Sequence, residues 1–259
     1  MSEKWLEGRV IENRHWTDAL WSLRVEAPPL GFEAGQFVRI ALDARPGDEG
    51  SRIARPFSFV NPPGDPVLEF YGITVPEGPL SPRLATLKAG ERLFVAPNQA
   101  GFLVLSEVPE AESLWLIATG TGIAPFLSML QTDAPWKRFR HVVLVHAVRH
   151  AGELVYQELL KKIKAKKGQQ FRYVSFVSRE TAPGSLTGRI PQAIRDGRLE
   201  QAAGVALTPK DSDSSTTGSH AMLCGNPDML RDAAAALAER GMRKHRRRAP
   251  GHVSVESFW

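Results

Sequence analysis

The run Leu114-Trp115-Leu116-Ile117-Ala118 is apolar at five consecutive positions, and no earlier run in the chain is as long. A strand covered on one face alternates apolar and polar side chains, whereas a strand covered on both faces does not need to. The chain therefore holds two kinds of sheet. Before residue 101 the apolar positions alternate, as in Trp21, Leu23 and Val25 and again in Val38, Ile40 and Leu42. Val67 to Val75 and Leu93 to Val95 read as further strands, and Pro or Gly breaks the gaps at Pro28-Pro29, Pro46-Gly47, Pro62-Pro63-Gly64 and Lys88-Ala89-Gly90. Short strands so punctuated predict an antiparallel β-barrel.

After residue 113 strands alternate with helices. Strands are predicted at Leu114–Ala118, His141–Ala147, Phe171–Ser178 and Ala221–Cys224, and helices at Ala124–Gln131, Gly152–Lys167 and Pro227–Arg240. That order predicts a parallel sheet with helices on both faces, the α/β class. The expected division is a barrel over 1–102, a linker over 103–112 and an α/β domain over 113–259. The polar stretch Thr208–Gly218 reads as a surface loop within the second domain.

Composition narrows the function. At 42% hydrophobic and 24% charged residues the chain matches an ordinary globular protein of 259 residues. It has no apolar run long enough to span a bilayer, and Met1-Ser2-Glu3-Lys4-Trp5 opens without a secretory h-region. The single cysteine, Cys224, excludes an internal disulfide and an in-chain iron–sulfur cluster on four thiolates. These features favour a cytoplasmic protein. The net charge of +5 is concentrated at Lys161–Lys167 and Arg243–Arg248. A basic surface suits an anionic partner, but no helix-turn-helix, zinc spacing or RNA-binding motif is present, so nucleic acid is not expected.

Thr119-Gly120-Thr121-Gly122-Ile123-Ala124-Pro125 joins the first buried strand to a helix. Glycines there allow a tight turn and close approach of a ligand, and the free N–H groups of a helix start suit a pyrophosphate. The next two strands end in Val148-Arg149-His150 and Ser178-Arg179. Where an NAD site places an acidic residue, arginines here fit a 2′-phosphate and favour NADPH, with Arg189 a further candidate. Arg55-Pro56-Phe57-Ser58-Phe59-Val60 reads as a strand, and Pro56, with no N–H to donate, means that the strand lies at a sheet edge or begins there.

Taken in order, Arg55-Pro56-Phe57-Ser58, Gly78-Pro79-Leu80-Ser81, the Gly120–Pro125 turn, Val177-Ser178-Arg179-Glu180, Cys224-Gly225-Asn226-Pro227-Asp228-Met229 and the terminal Phe258-Trp259 resemble the ferredoxin–NADP reductases. The bacterial subgroup that also serves flavodoxin is the nearest match. The resemblance implies FAD and NADP(H) as cofactors, ferredoxin or flavodoxin as partner, and a monomer with no membrane association or resident metal. It implies hydride transfer from NADPH to flavin N5, followed by one-electron transfer. By the same resemblance Arg55 meets the FAD pyrophosphate, Pro56 and Phe57 pack at the isoalloxazine, and Ser58 lies near N5. Phe57 stands where many relatives carry Tyr, so a phenolic hydrogen bond is lost. Tyr71, Gly72, Ile73 and Thr74 run beside the flavin, although Ile73 also suits plain barrel packing. Pro79, Leu80 and Ser81 wrap the diphosphate, and Thr121 touches both nucleotides. Phe258 and Trp259 on a returning C-terminal tail pack on FAD. NADP falls to Gly120, Gly122, Arg149, Ser178, Arg179, Arg189, Gly225, Asn226, Pro227 and Asp228. Ser58, Cys224 and Glu256 are the catalytic candidates, Cys224 as a nicotinamide contact and not as a nucleophile. Other uses of this fold are a free-flavin reductase, an oxygenase reductase component, or a non-catalytic flavin or nucleotide sensor.

Overall fold

The structure is a computed structural model and describes residues 4–45, 51–209 and 218–257. Within the polar 208–218 stretch, residues 210–217 lie outside the described residues, as do Phe258 and Trp259.

Six antiparallel strands build the first half: β1 (Leu6–His15), β2 (Leu20–Glu26), β3 (Phe37–Asp43), β4 (Arg52–Ser58), β5 (Val67–Ile73) and β6 (Arg92–Ala100). Their order is β4-β3-β6-β1-β2-β5, and a bridge between Phe59 and Phe70 joins the two ends into a barrel. Trp21, Leu23, Val25, Ile40, Phe70 and Leu93 fill it. β4 ends the order, as the missing N–H of Pro56 requires. β1 is not evident in the sequence because charged residues flank its few apolar positions; Val10 is its one buried large apolar side chain.

Six parallel strands build the second sheet: β7 (Ser113–Thr119), β8 (His141–Val148), β9 (Phe171–Val177), β10 (Leu186–Thr187), β11 (Ser219–Gly225) and β12 (Val253–Ser257), in the order β10-β9-β8-β7-β11-β12. The helices are α1 (Ser81–Ala85), α2 (Ala124–Leu130), α3 (Ala134–Arg138), α4 (Gln157–Lys167), α5 (Ile190–Arg195), α6 (Arg198–Ala203) and α7 (Pro227–Glu239). The two-domain β plus α/β class read from the apolar patterns is the class observed.

The helix expected from Gly152 begins later. A short 3-10 turn over Ala151–Glu153 gives way to Leu154-Val155-Tyr156, and Tyr156 takes φ +59°. Tertiary anchoring overrides helix propensity here: the Tyr156 hydroxyl donates to Glu69 of the barrel at 2.7 Å. Two more bonds tie the halves together, Ser128 Oγ to the Asn61 carbonyl (2.7 Å) and Gln131 Nε2 to the Val60 carbonyl (2.8 Å). Between the sheets, Leu103, Val104, Leu105, Val108 and Ala111 are buried, so residues 103–112 are packed chain.

Candidate functional site

A cavity of about 300 Å³ opens where the barrel rim meets the turn after β7. β4 supplies Arg55, Pro56, Phe57 and Ser58, and β5 supplies Tyr71, Gly72 and Ile73. Pro79, Leu80 and Ser81 come from the loop entering α1, and Thr121 from the second domain. Thr74 does not line the cavity; its hydroxyl accepts a bond from the Trp21 indole N–H. Val75, Gly78 and Ala124 also line it; Gly78 and Ala124 belong to the Gly78–Ser81 and Gly120–Pro125 motifs, while nothing in the sequence marks Val75.

Two polar atoms on the cavity wall lack partners. Ser58 Oγ and Tyr71 Oη are buried with no hydrogen bond among the described residues. Burying such groups unpaired costs on the order of 1–3 kcal/mol each, so they fit a ligand with polar atoms on a flat body. Burial also pushes the Tyr71 hydroxyl beyond the range in which it ionises. An exposed cation (Arg55), a ring (Phe57) and the small hydroxyl of Ser58 side by side suit FAD, with its phosphates and tricyclic ring. Among the described residues no cluster of His, Cys, Asp or Glu could hold a metal ion.

β11 brings the second group. Cys224 is fully buried and lies in register with Ala118 of β7 and Glu256 of β12. Burial and the nearby Glu256 carboxyl push its thiol pKa well up, so it stays protonated. Glu256 Oε1 accepts from the backbone N–H of Phe102 at 3.3 Å, while Oε2 is buried without a partner. Burial outweighs the N–H bonds from Phe102 and Leu103 and raises the carboxyl pKa to about 7. Gly101 adjoins Phe37, and Phe37 pairs with Ser58 in the barrel, so Glu256 lies one strand away from the Ser58 side of the cavity.

The glycine turn packs tightly. A Cβ on Gly122 would lie 2.5 Å from the Cys224 carbonyl oxygen, so only glycine lets the turn sit on the end of β11. Gly225, at φ +134°, has Thr119 Oγ1 where a Cβ would go. Asn226 caps α7, accepting from the N–H groups of Asp228 (2.9 Å) and Met229 (3.2 Å), with Pro227 in the first turn. Asp228 pairs with Arg231 at 2.8 Å, so these side chains serve the helix start first.

At the C-terminal edge of the parallel sheet the ends of β8 and β9 are laced together: Ser178 N–H donates to the Val148 carbonyl (3.1 Å) and Arg179 N–H to that of Arg149 (3.0 Å). Arg189 precedes α5, just after β10, which pairs with β9. Arg149, Arg179 and Arg189 are exposed, and no ion pair engages their side chains among the described residues. Three exposed arginines thus stand at the ends of neighbouring strands, and guanidinium is the side-chain group best suited to a phosphate monoester.

Residues 116–235 match the oxidoreductase NAD-binding domain family. The chain is 48% identical over 256 residues to a flavodoxin/ferredoxin–NADP reductase of Escherichia coli (strain K12), covering 98% of this chain and 99% of that protein. It is 35% identical to a ferredoxin–NADP reductase of Pseudomonas aeruginosa, covering 96% and 95%. A ferredoxin–NADP reductase of Neisseria gonorrhoeae, solved with bound FAD and NADP, superposes with a TM-score of 0.90 over 99% of both chains, at 31% identity. The end-to-end alignments, the shared two-sheet fold and the cavity at its seam agree, and the chain belongs to the flavodoxin/ferredoxin–NADP reductase family.

Proposed function

We propose that this chain is an FAD-containing reductase that passes electrons between NADPH and ferredoxin or flavodoxin. The observation that carries the reading is the seam cavity, whose Ser58 and Tyr71 oxygens are buried without partners among the described residues, while the Gly120–Ile123 turn that supplies Thr121 packs on the Cys224 end of β11. FAD, when bound, supplies the chemistry: it takes a hydride as two electrons and releases them singly. Everything else falls to the chain. Arg55 and the Pro79-Leu80-Ser81 loop hold the diphosphate, and Phe57, Tyr71, Gly72 and Ile73 wall the ring, with Thr74 behind them. The Gly120-Thr121-Gly122 turn and the Gly225–Asp228 helix start receive the NADP pyrophosphate side. Arg149, Ser178, Arg179 and Arg189 select the 2′-phosphate. Cys224 offers a neutral, polarizable contact for nicotinamide, and Glu256 holds a proton near neutral pH at the Ser58 side. The assignment of Phe258 and Trp259 to the flavin rests on the family resemblance alone. The two separate sheets support a division into a barrel over 1–102 and an α/β domain over 113–259, joined by 103–112. A monomer working in the cytoplasm, without membrane or nucleic acid, completes the reading. Its support is the free, buried Cys224; no described helix is long and apolar enough to cross a membrane.

The partner side has its own marker. Phe102 is 65% exposed, next to the Glu256 anchor, and the Arg247 guanidinium lies 4.3 Å over its ring. Arg243, Lys244, Arg246 and Arg248 are exposed on the same segment. An acidic electron carrier would be steered to this face. With NADPH saturating, the KM for purified flavodoxin should rise about tenfold between about 50 and 500 mM NaCl, while that for a neutral quinone changes less than about twofold. Failure to reduce either ferredoxin or flavodoxin from NADPH would remove the proposal.

A further inference from the structure

Two residues facing each other across β2 and β5 have exchanged bulk. Trp21 and Gly72 are direct cross-strand partners, and Trp21 points into the barrel. A Cβ at position 72 would lie 2.5 Å from Trp21 Cη2 and Cζ2 and 2.9 Å from Cζ3. These atoms belong to the outer, six-membered ring of the indole. Gly72 does not have a positive φ, so the backbone places no demand for glycine there. The three atoms nearest a side chain at 72 all belong to the indole.

That indole cannot swing away. It is fully buried, and Nε1 donates to Thr74 Oγ1 at 3.2 Å. Its ring packs against Phe57 at 5.8 Å between centroids, tilted by 42°. Phe57 has no polar atom, so packing alone sets its orientation, and tilted aromatic pairs have a preferred geometry. Phe57 and Gly72 are both walls of the cavity, whereas Trp21 is not.

We infer that Trp21 is a positioning residue of the flavin site: one buried indole, admitted by Gly72, fixes Phe57 and Thr74 without itself reaching the cavity. The inference rests on reading that cavity as the FAD site. It makes bulk at 72 and bulk at 21 competitors. Gly72→Ala drives the indole toward Phe57. Trp21→Phe deletes the outer ring atoms nearest position 72, together with the N–H that holds Thr74.

The test is a double-mutant comparison of FAD affinity and the visible circular dichroism of bound flavin, in wild type, G72A, W21F and W21F/G72A. G72A should weaken FAD binding about tenfold and change the visible dichroism, and W21F should weaken it about threefold. In the W21F background, adding G72A should cost less than about twofold, because the space is now free. Thermal unfolding of the apo chains reports whether each barrel is intact. If G72A alone does not fold, W21F decides by itself: wild-type affinity and dichroism in a folded W21F chain overturn the inference. So does an equal cost of G72A in both backgrounds. A wild-type chain that takes up no FAD fails the flavin reading and the positioning role with it. A wild type that binds FAD, with no coupling between the sites, fails the positioning role alone.

Discussion

Arg179→Ala should lower kcat/KM for NADPH by about 100-fold and leave that for NADH within about twofold. A charge-assisted hydrogen bond to a phosphate contributes about 1.5–3 kcal/mol, which is roughly 10- to 150-fold in an equilibrium constant. Arg179 stands at the upper end because of its setting. Its backbone N–H is bonded to the Arg149 carbonyl at 3.0 Å, which fixes the main chain of the two arginines at adjacent strand ends. Arg179 is also free of internal ion pairs among the described residues, so no intramolecular partner has to be released on binding. Steady-state rates with both nucleotides check the result. Equal losses for NADPH and NADH would mean that Arg179 holds some shared part of the nucleotide, and the 2′-phosphate assignment would fall.

Glu256→Gln should change how stability depends on pH. In the folded chain burial raises the Glu256 carboxyl pKa to about 7, above its ordinary value of 4.5. The folded state therefore prefers the protonated form. Its contribution is fully present below about pH 4.5 and is lost as pH rises to about 7, because the unfolded chain ionises first. The loss across that window is at most about 3 kcal/mol, since the residue is only partly buried even though Oε2 is enclosed. Gln keeps the shape and cannot ionise. Relative to wild type, the apo E256Q chain should gain up to about 3 kcal/mol between about pH 4 and about pH 8, read by denaturant unfolding at each pH. Parallel curves for the two chains would show that Glu256 titrates as an ordinary exposed acid. The same substitution should flatten the pH dependence of flavin reduction near neutrality, since a carboxyl that titrates near pH 7 close to the Cys224 end of the sheet is removed.

Much of the architecture was legible because each layer leaves its own period in the sequence. The continuous run at 114–118 marks a strand covered on both faces, and the alternation at 21–25 and 38–42 marks barrel strands with one wet face. The missing N–H of Pro56 allowed an edge strand or a strand start, and β4 runs through Pro56 at the edge. The stretches quoted around Arg55, Pro79 and Thr121 meet in one cavity, and Arg149, Arg179 and Arg189 gather at neighbouring strand ends. Long-range pairing was not legible. β12 is short and mixed in polarity, and only its place beside β11 shows why Glu256 meets Cys224. Tyr156 breaks a helix for the sake of a bond to Glu69, 87 residues away. Gly72 reads as a weak point in a strand until the Trp21 ring is seen to fill its place. Asn226 and Asp228 belong to a recognisable motif, but their side chains are engaged in capping and pairing their own helix.

A flavin bound between barrel and sheet should be reduced by NADPH in preference to NADH. Anaerobic stopped-flow absorbance at the flavin band, with the FAD-loaded chain mixed against each nucleotide, measures this directly. NADPH should bleach the flavin rapidly, and NADH about 100-fold more slowly at equal subsaturating concentration. A chain that binds FAD but is not bleached by NADPH, or is bleached equally by both, would contradict it.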